Sequence, residues 1–222
     1  MQDQLSQAEE NYLKAIYKIS RQSGALVGNN AISVEMNTSA ASVTDMINRL
    51  SQKELIHYQK RKGVRLTDLG EVTATHLVRK HRLWETFLVE TLNFTWDEVH
   101  ELAEQLEHIQ SRELINRLDE FLDFPKYDPH GDPIPDKNGR IAERQQVLLS
   151  QLPVGEKAVV VGVKDHSTPF LQYLERTGLL LGAELVIGER LAYDNSLQLQ
   201  VGDQQKLLVS QKVGQNLFVQ KK

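Results

Sequence analysis

His100, Glu104, Glu107 and His108 follow one another in "VHELAEQLEH" at spacings that line up along one face of a helix. Val99, Leu102, Ala103 and Leu106 take the neighbouring apolar stripe. The helical pattern just before it adds His81 and Glu85, one turn apart. Imidazoles and carboxylates converging in one seam are the donors a divalent cation needs. A second pair of ligand types, Asp128 and His130, flanks a proline in "YDPHGDPIP". Pro129 holds its own φ at about −65° and biases Asp128 toward extended backbone, so both side chains are presented with little entropy left to lose. The plainer readings are a solvated acidic face and a stiff surface connector. Charge favours metal: residues 81–150 hold 7 Lys and Arg against 15 Asp and Glu, a balance of −8. A cation is the economical neutraliser of that segment.

Other chemistry lacks its groups. The chain contains no cysteine, which excludes a disulfide framework, a thiolate metal site and a cysteine nucleophile. "HELAE" at 100–104 ends in Glu where a zinc hydrolase helix would need His, and neither a Gly-rich phosphate loop nor a Gly-x-Ser-x-Gly elbow occurs. No enzyme activity is expected, and no small organic substrate. No apolar run approaches the ~18 residues of a membrane span, and the first residues are polar, so the expected location is the cytoplasm, away from membranes.

The elements that must position these ligands fall into three parts. "QAEENYLKAIYKISRQ" places Tyr12, Leu13, Ile16, Tyr17 and Ile19 at helical spacing up to Gly24. Asn30 is expected to cap a short helix, "AISVEM", and the turn "NTS" leads to "AASVTDMINRLSQKEL". In that helix Val43, Met46, Ile47 and Leu50 form the apolar stripe, with Ser39 as N-cap. Lys62-Gly63 marks a hairpin between two short alternating stretches. A long helix is expected from Asp68 to Thr91. "TWDE" at 95–98 is a capping box opening a helix to about Ile109, and another runs from Ser111 to Phe121, with a short helical piece around 140–150. From Leu152 onward "KAVVVGV", "AELVIGER", "SLQLQV", "KLLVSQ" and "NLFVQK" read as about five short strands of an SH3-like barrel, interrupted by the helix "TPFLQYLERTGLL". The expected class is α+β. Residues 1–70 would form a winged helix-turn-helix, 71–150 an all-α metal-binding and dimerisation region, and 151–222 the barrel.

The net charge of −4 argues against nucleic acid only if the chain is averaged, since residues 1–80 hold 11 Lys and Arg against 8 Asp and Glu. Helix, turn, helix and basic hairpin is the order of a winged reading head. Away from its apolar stripe the second helix carries Ser39, Ala41, Ser42, Thr44, Asp45, Asn48 and Arg49, short enough to enter a major groove roughly 12 Å wide. Lys60, Arg61, Lys62 and Arg65 on the hairpin suit the phosphate backbone.

With "NYLKAIY", "SAASVTDMINRL", "VRKHRLWETFL", "VHELAEQLEH" and "YDPHGDPIP" together, the whole chain resembles the DtxR/MntR family of metal-dependent transcriptional repressors, most closely its manganese-responsive branch with an SH3-like C-terminal (FeoA-like) domain. The resemblance implies a first site from Asn11, His81, Glu104, Glu107 and His108. It implies a second from Glu85, Asp128 and His130 with Asp165 of the C-terminal module; His100 matches a position used in some members. It further implies a homodimer on palindromic operator DNA, repressing metal-homeostasis genes with Mn(II), or alternatively Fe(II), at about two ions per subunit. Asn11 stands where the family usually has Asp or Met, and Asp128 where several relatives have Cys, an exchange of soft for hard donor that favours Mn(II) or Fe(II) over zinc or copper. A winged-helix regulator of an organic ligand is the remaining alternative.

Overall fold

A computed structural model of the chain describes residues 5–24, 26–202 and 205–222. The chain divides into two compact units. The first comprises Met1–His81, Glu104–Asn116 and Pro135–Arg140; the second comprises Arg82–Ala103, Arg117–Ile134 and Ile141–Lys222.

In the first unit, helix α1 (Gln7–Ser23) opens on a capping box in which Ser6 and Glu9 satisfy each other's backbone amides. Its Leu13 and Ile16 are fully buried. Helix α2 (Asn29–Glu35) starts one residue before the expected cap, because Gly28 takes the N-cap position and Asn30 lies inside the helix. Helix α3 (Ala40–Gln52) has Ser39 as N-cap, accepting from Ser42 N, and buries Val43, Ile47 and Leu50 against α1 and α2. Strands β1 (Ile56–Gln59) and β2 (Gly63–Leu66) pair antiparallel with Gln59 opposite Gly63, so Lys60, Arg61 and Lys62 form the exposed tip of a wing. Helix α4 (Asp68–Glu90) packs Ala74, Leu77 and Val78 into the same core and continues into the second unit.

Two helical expectations are corrected. Glu98 does reach back to Thr95 N, but residues 96–98 form a turn and helix α5 spans only Val99–Leu106. Glu107 and His108 therefore lie in the turn that ends α5, where Ile109 N bonds Leu106 O, and a single helical face does not carry all four ligand types. Helix α6 (Arg112–Phe121) starts after Ser111, whose hydroxyl accepts from Leu114 N. The stretch around 140–150 is not α-helical: β3 (Val147–Leu148) pairs with the last strand, and only a 3-10 turn follows at Leu149–Gln151. Burial of Leu149 and Leu152 in the sheet core outweighs the local helical pattern.

The second unit is built around a six-stranded antiparallel sheet in the order β3-β8-β4-β5-β6-β7, with β4 Lys157–Val163, β5 Glu184–Arg190, β6 Leu197–Val201, β7 Gln205–Val209 and β8 Leu217–Lys221. All five expected strands are present, with β3 in addition. Helix α7 (Thr168–Thr177) follows β4, and the short α8 (Gln211–Gly214) precedes β8. Their apolar side chains close one core with Trp96 at its margin.

Candidate metal centre and nucleic-acid interface

The first unit gathers His81, Glu104, Glu107 and His108 around the foot of α1. Glu107 is fully buried, and His81 Nδ1 donates to its Oε2 at 2.6 Å. Glu104 Oε1 is 3.8 Å from the same nitrogen. His108 Nδ1 lies 2.5 Å from Oε2 of Glu10, and Gln110 Nε2 donates to the other Glu10 oxygen at 2.7 Å. A histidine whose Nδ1 proton is committed to a carboxylate keeps Nε2 as a lone-pair donor, the usual arrangement behind a metal ligand. Burial alone would raise the Glu107 carboxyl, but His81 and Lys14 outweigh it and hold it below the ordinary carboxylate range. It is an anion at neutral pH. Asn11, one turn before Lys14 on α1, has an Oδ1 that is buried and accepts no hydrogen bond among the described residues.

A second set lies wholly in the second unit. Glu85, Asp128 and His130 are buried and each offers a ligand atom within 4.8 Å of the others. His130 Nε2 donates to the Trp96 carbonyl at 2.7 Å, and its ring stacks on the indole at 6.1 Å, so Nδ1 faces Glu85 Oε2 at 3.6 Å. Burial pushes the Asp128 carboxyl up to about 7, with Asp132 and Glu85 adding to the rise. Burial alone would lower the His130 imidazole, but Glu85 overrides it and raises the group to about 9. Three buried donors within 4.8 Å of one another, two of them strongly shifted, make this a candidate site.

The proline-rich loop presents two of these candidate ligands by backbone locking. Asp128 Oδ1 accepts from the amides of His130 and Asp132 at 2.9 and 3.0 Å, and Tyr127 bridges Pro133. Val163 N on β4 bonds His130 O at 3.0 Å, while Arg144 reaches the carbonyls of Val161 and Gly131 and lies 3.3 Å over the Tyr127 ring. Arg82 on α4 stands 3.5 Å from Asp128 Oδ2 and 3.3 Å from Asp132 Oδ2.

His100 joins this second set, with Nδ1 3.3 Å from Glu85 Oε1. Asp165 is half-buried and accepts from Ser167 N at 2.9 Å; the neighbouring His166 ring meets His130 edge-on at 5.1 Å, with Nε2 3.6 Å from Asp132 Oδ2. Sequence reasoning missed Glu10, Lys14, Arg82 and His166. Glu10 and Lys14 sit one turn apart on α1, with Glu10 buried at i−3 from Leu13 on the apolar side, and a charged pair at that position is the local signal for them.

On the head, Ser39, Ala41, Ser42, Thr44, Asp45, Asn48 and Arg49 are all exposed, as are Lys60, Arg61, Lys62 and Arg65. Asp45, an awkward charge to bring near phosphates, is paired with Arg49 at 2.8 Å.

Three stretches of the chain match domains of known proteins. Residues 4–64 match the N-terminal DNA binding domain of the iron dependent repressors, residues 67–136 their metal binding and dimerisation domain, and residues 147–221 the FeoA domain. The chain is 30% identical to the iron-dependent repressor IdeR of Mycobacterium leprae over 68% of its own length and 69% of that protein's. It is likewise 30% identical to the diphtheria toxin repressor of Corynebacterium glutamicum, over 80% and 82% of the two chains. Among solved structures, a manganese-dependent transcriptional repressor in complex with manganese superposes with a TM-score of 0.86 at 31% identity, covering 96% of this chain and 99% of that one. With a reading head, two nitrogen-and-oxygen donor sets and these relatives, the chain belongs to the DtxR/MntR family of metal-dependent, DNA-binding transcriptional repressors, whose members are not enzymes.

Proposed function

We propose that this repressor takes Mn(II) as co-repressor, with Fe(II) as the alternative ion, and uses both donor sets. The observation that carries the reading is the chemistry of the donors. Both sets consist of carboxylates and imidazoles, with the buried Asn11 amide oxygen on α1 next in sequence to Glu10, the partner of His108, and no cysteine in the chain. Hard and borderline ligands of that kind suit Mn(II) and Fe(II). Structural relatives named as manganese-dependent support manganese, and sequence relatives named as iron-dependent support the alternative.

The first set would be Asn11, His81, Glu104, Glu107 and His108. The residues fit, because the buried, unpartnered Asn11 Oδ1 is an acceptor whose burial a cation would compensate. A bound ion supplies a concentrated positive charge that several side chains can share. Asn11 belongs to the first helix of the head, whereas Glu107 and His108 belong to the turn after α5. Their joint use as ligands restrains α1 and with it the reading face. Moving the head from mostly incompetent to mostly competent needs about 5 kcal/mol of differential affinity.

The second set would be Glu85, Asp128 and His130, with His100 beside Glu85. Asp165 completes it by giving up its bond to Ser167. Leu92, Phe94, Phe121 and Phe124 are exposed on the second unit and supply an apolar surface for a homodimer. A two-fold dimer reads a palindrome with half-sites about one helical turn, or a multiple, apart.

The test is fluorescence anisotropy on a duplex selected in vitro from random sequence in the presence of Mn(II). Binding is expected with Mn(II), with anaerobic Fe(II) as comparison, and not with chelator. Equal affinity with and without metal would sink the co-repressor reading.

A further inference from the structure

Lys14 enters the donor set of the first unit as a rival. Its Nζ lies 2.5 Å from Glu104 Oε1 and 2.7 Å from each of the two Glu107 oxygens. An ammonium has three protons and no acceptor, so these three contacts exhaust it. The nitrogen sits between both oxygens of Glu107, in the place from which a cation would engage that carboxylate with both arms. Neither group is a loosely held surface charge: the Lys14 side chain is 18% exposed and that of Glu107 is fully buried. A surface ion pair would count for little, but one at this depth neutralises a carboxylate that is otherwise costly to bury.

The ammonium and a divalent ion are mutually exclusive partners for these oxygens. Manganese–oxygen bonds are shorter than any of the lysine contacts, and the two cations would stand almost on top of each other in a poorly solvated place. Lys14 must therefore swing out before Glu104 and Glu107 can act as ligands together. Its four-carbon stem allows that without moving the α1 backbone.

Resting on the reading of this set as a metal site, we propose that Lys14 is a built-in counter-cation of the first set. It holds α1 against the turn after α5 in the metal-free protein, and its displacement sets the concentration at which metal is taken up. The lysine makes the metal-free seam stable and the metal-bound state harder to reach. Asn11, three residues earlier on the same helix, is the donor that takes over the link when the lysine leaves.

The test measures two quantities that this role moves in opposite directions. In the full-length Lys14→Met variant, which keeps most of the stem and removes the charge, Mn(II) affinity of the first set by chelator competition should rise about tenfold or more, equivalent to ~1.4 kcal/mol. Hydrogen exchange of the α1 amides in the metal-free protein should become faster. Lys14→Arg should keep slow α1 exchange and unimproved affinity. Glu107→Gln identifies the first-set equivalent of Mn(II), which should vanish in that variant. Unchanged or weaker Mn(II) binding in Lys14→Met overturns the proposal, as does unchanged α1 exchange. If Lys14→Met unfolds, the same pair of measurements on Lys14→Gln decides the matter. If wild type and Glu107→Gln bind the same number of ions, the metal reading of this set fails, and the counter-cation role falls with it.

Discussion

Two glycines of the second unit offer a matched experiment on how the ligand loop is held. Gly131 has φ +85° and Gly155 has φ +86°, so an added Cβ meets the same left-handed strain at both, about 1–2 kcal/mol. Their surroundings differ. Around Gly155 nothing lies within 4 Å of the added atom. At Gly131 it would collide with the Val161 carbonyl oxygen and come within 2.5 Å of Gly162 Cα and 2.9 Å of Val161 C. These are backbone atoms of β4 and cannot rotate aside. The loop must lift, which strains the Val163 N to His130 O bond and the Arg144 contact to Gly131 O, each worth about 1 kcal/mol. Gly131→Ala should therefore cost ~3–4 kcal/mol against ~1–2 for Gly155→Ala. In a chain of this size that is a fall in Tm of roughly 8–12 °C against about 3–5 °C. Calorimetry of the metal-free protein reads the difference, and Mn(II) titration should show the second set weakened only in Gly131→Ala. Equal Tm losses, or an unweakened second set in Gly131→Ala, would refute the view that close backbone packing presents Asp128 and His130.

Uptake at the second set should be pH-dependent in a direction fixed by its two shifted groups. With Asp128 raised to about 7 and His130 to about 9, both are mainly protonated at pH 6 and must lose their protons to coordinate. Calorimetry in buffers of different ionisation enthalpy should find proton release at pH 6 that declines toward pH 9, with affinity rising over the same window; no proton release at pH 6 would contradict it. In the metal-free protein the sign is reversed. Both folded-state values lie above the unfolded ones, so these groups add stability below those unfolded values and lose it as pH climbs through about 7 and then about 9. Asp165→Ala should weaken Mn(II) at the second set about tenfold and leave the first unchanged; unchanged affinity would mean the carboxylate stays with Ser167. Arg61→Ala at the wing tip should weaken binding to all duplexes alike and reduce the slope of log K against log salt by about 1 per subunit. A sequence-selective loss would place Arg61 at base edges instead.

Much of this protein is legible in one dimension because the signals are local. The apolar periods of α1 and α3, the Ser39 cap, the wing and the five strands follow from residue type and spacing over a single turn or strand. The candidate donor types are legible for the same reason, since few residue types can hold a hard cation. Their grouping was not. His100, Glu104, Glu107 and His108 look like one helical face only if α5 continues past Leu106, and the turn there redirects Glu107 and His108 toward α1. His100 instead meets Glu85, fifteen residues away along the chain. Lys14 lies 93 residues from Glu107 and Glu10 lies 98 from His108, so no periodicity could connect them. Propensity and period act over the length of one element, and they chose the helices and strands. Desolvation acts through space: it charges a high cost for a lone carboxylate in the interior, and only the packed chain decides which cation answers it.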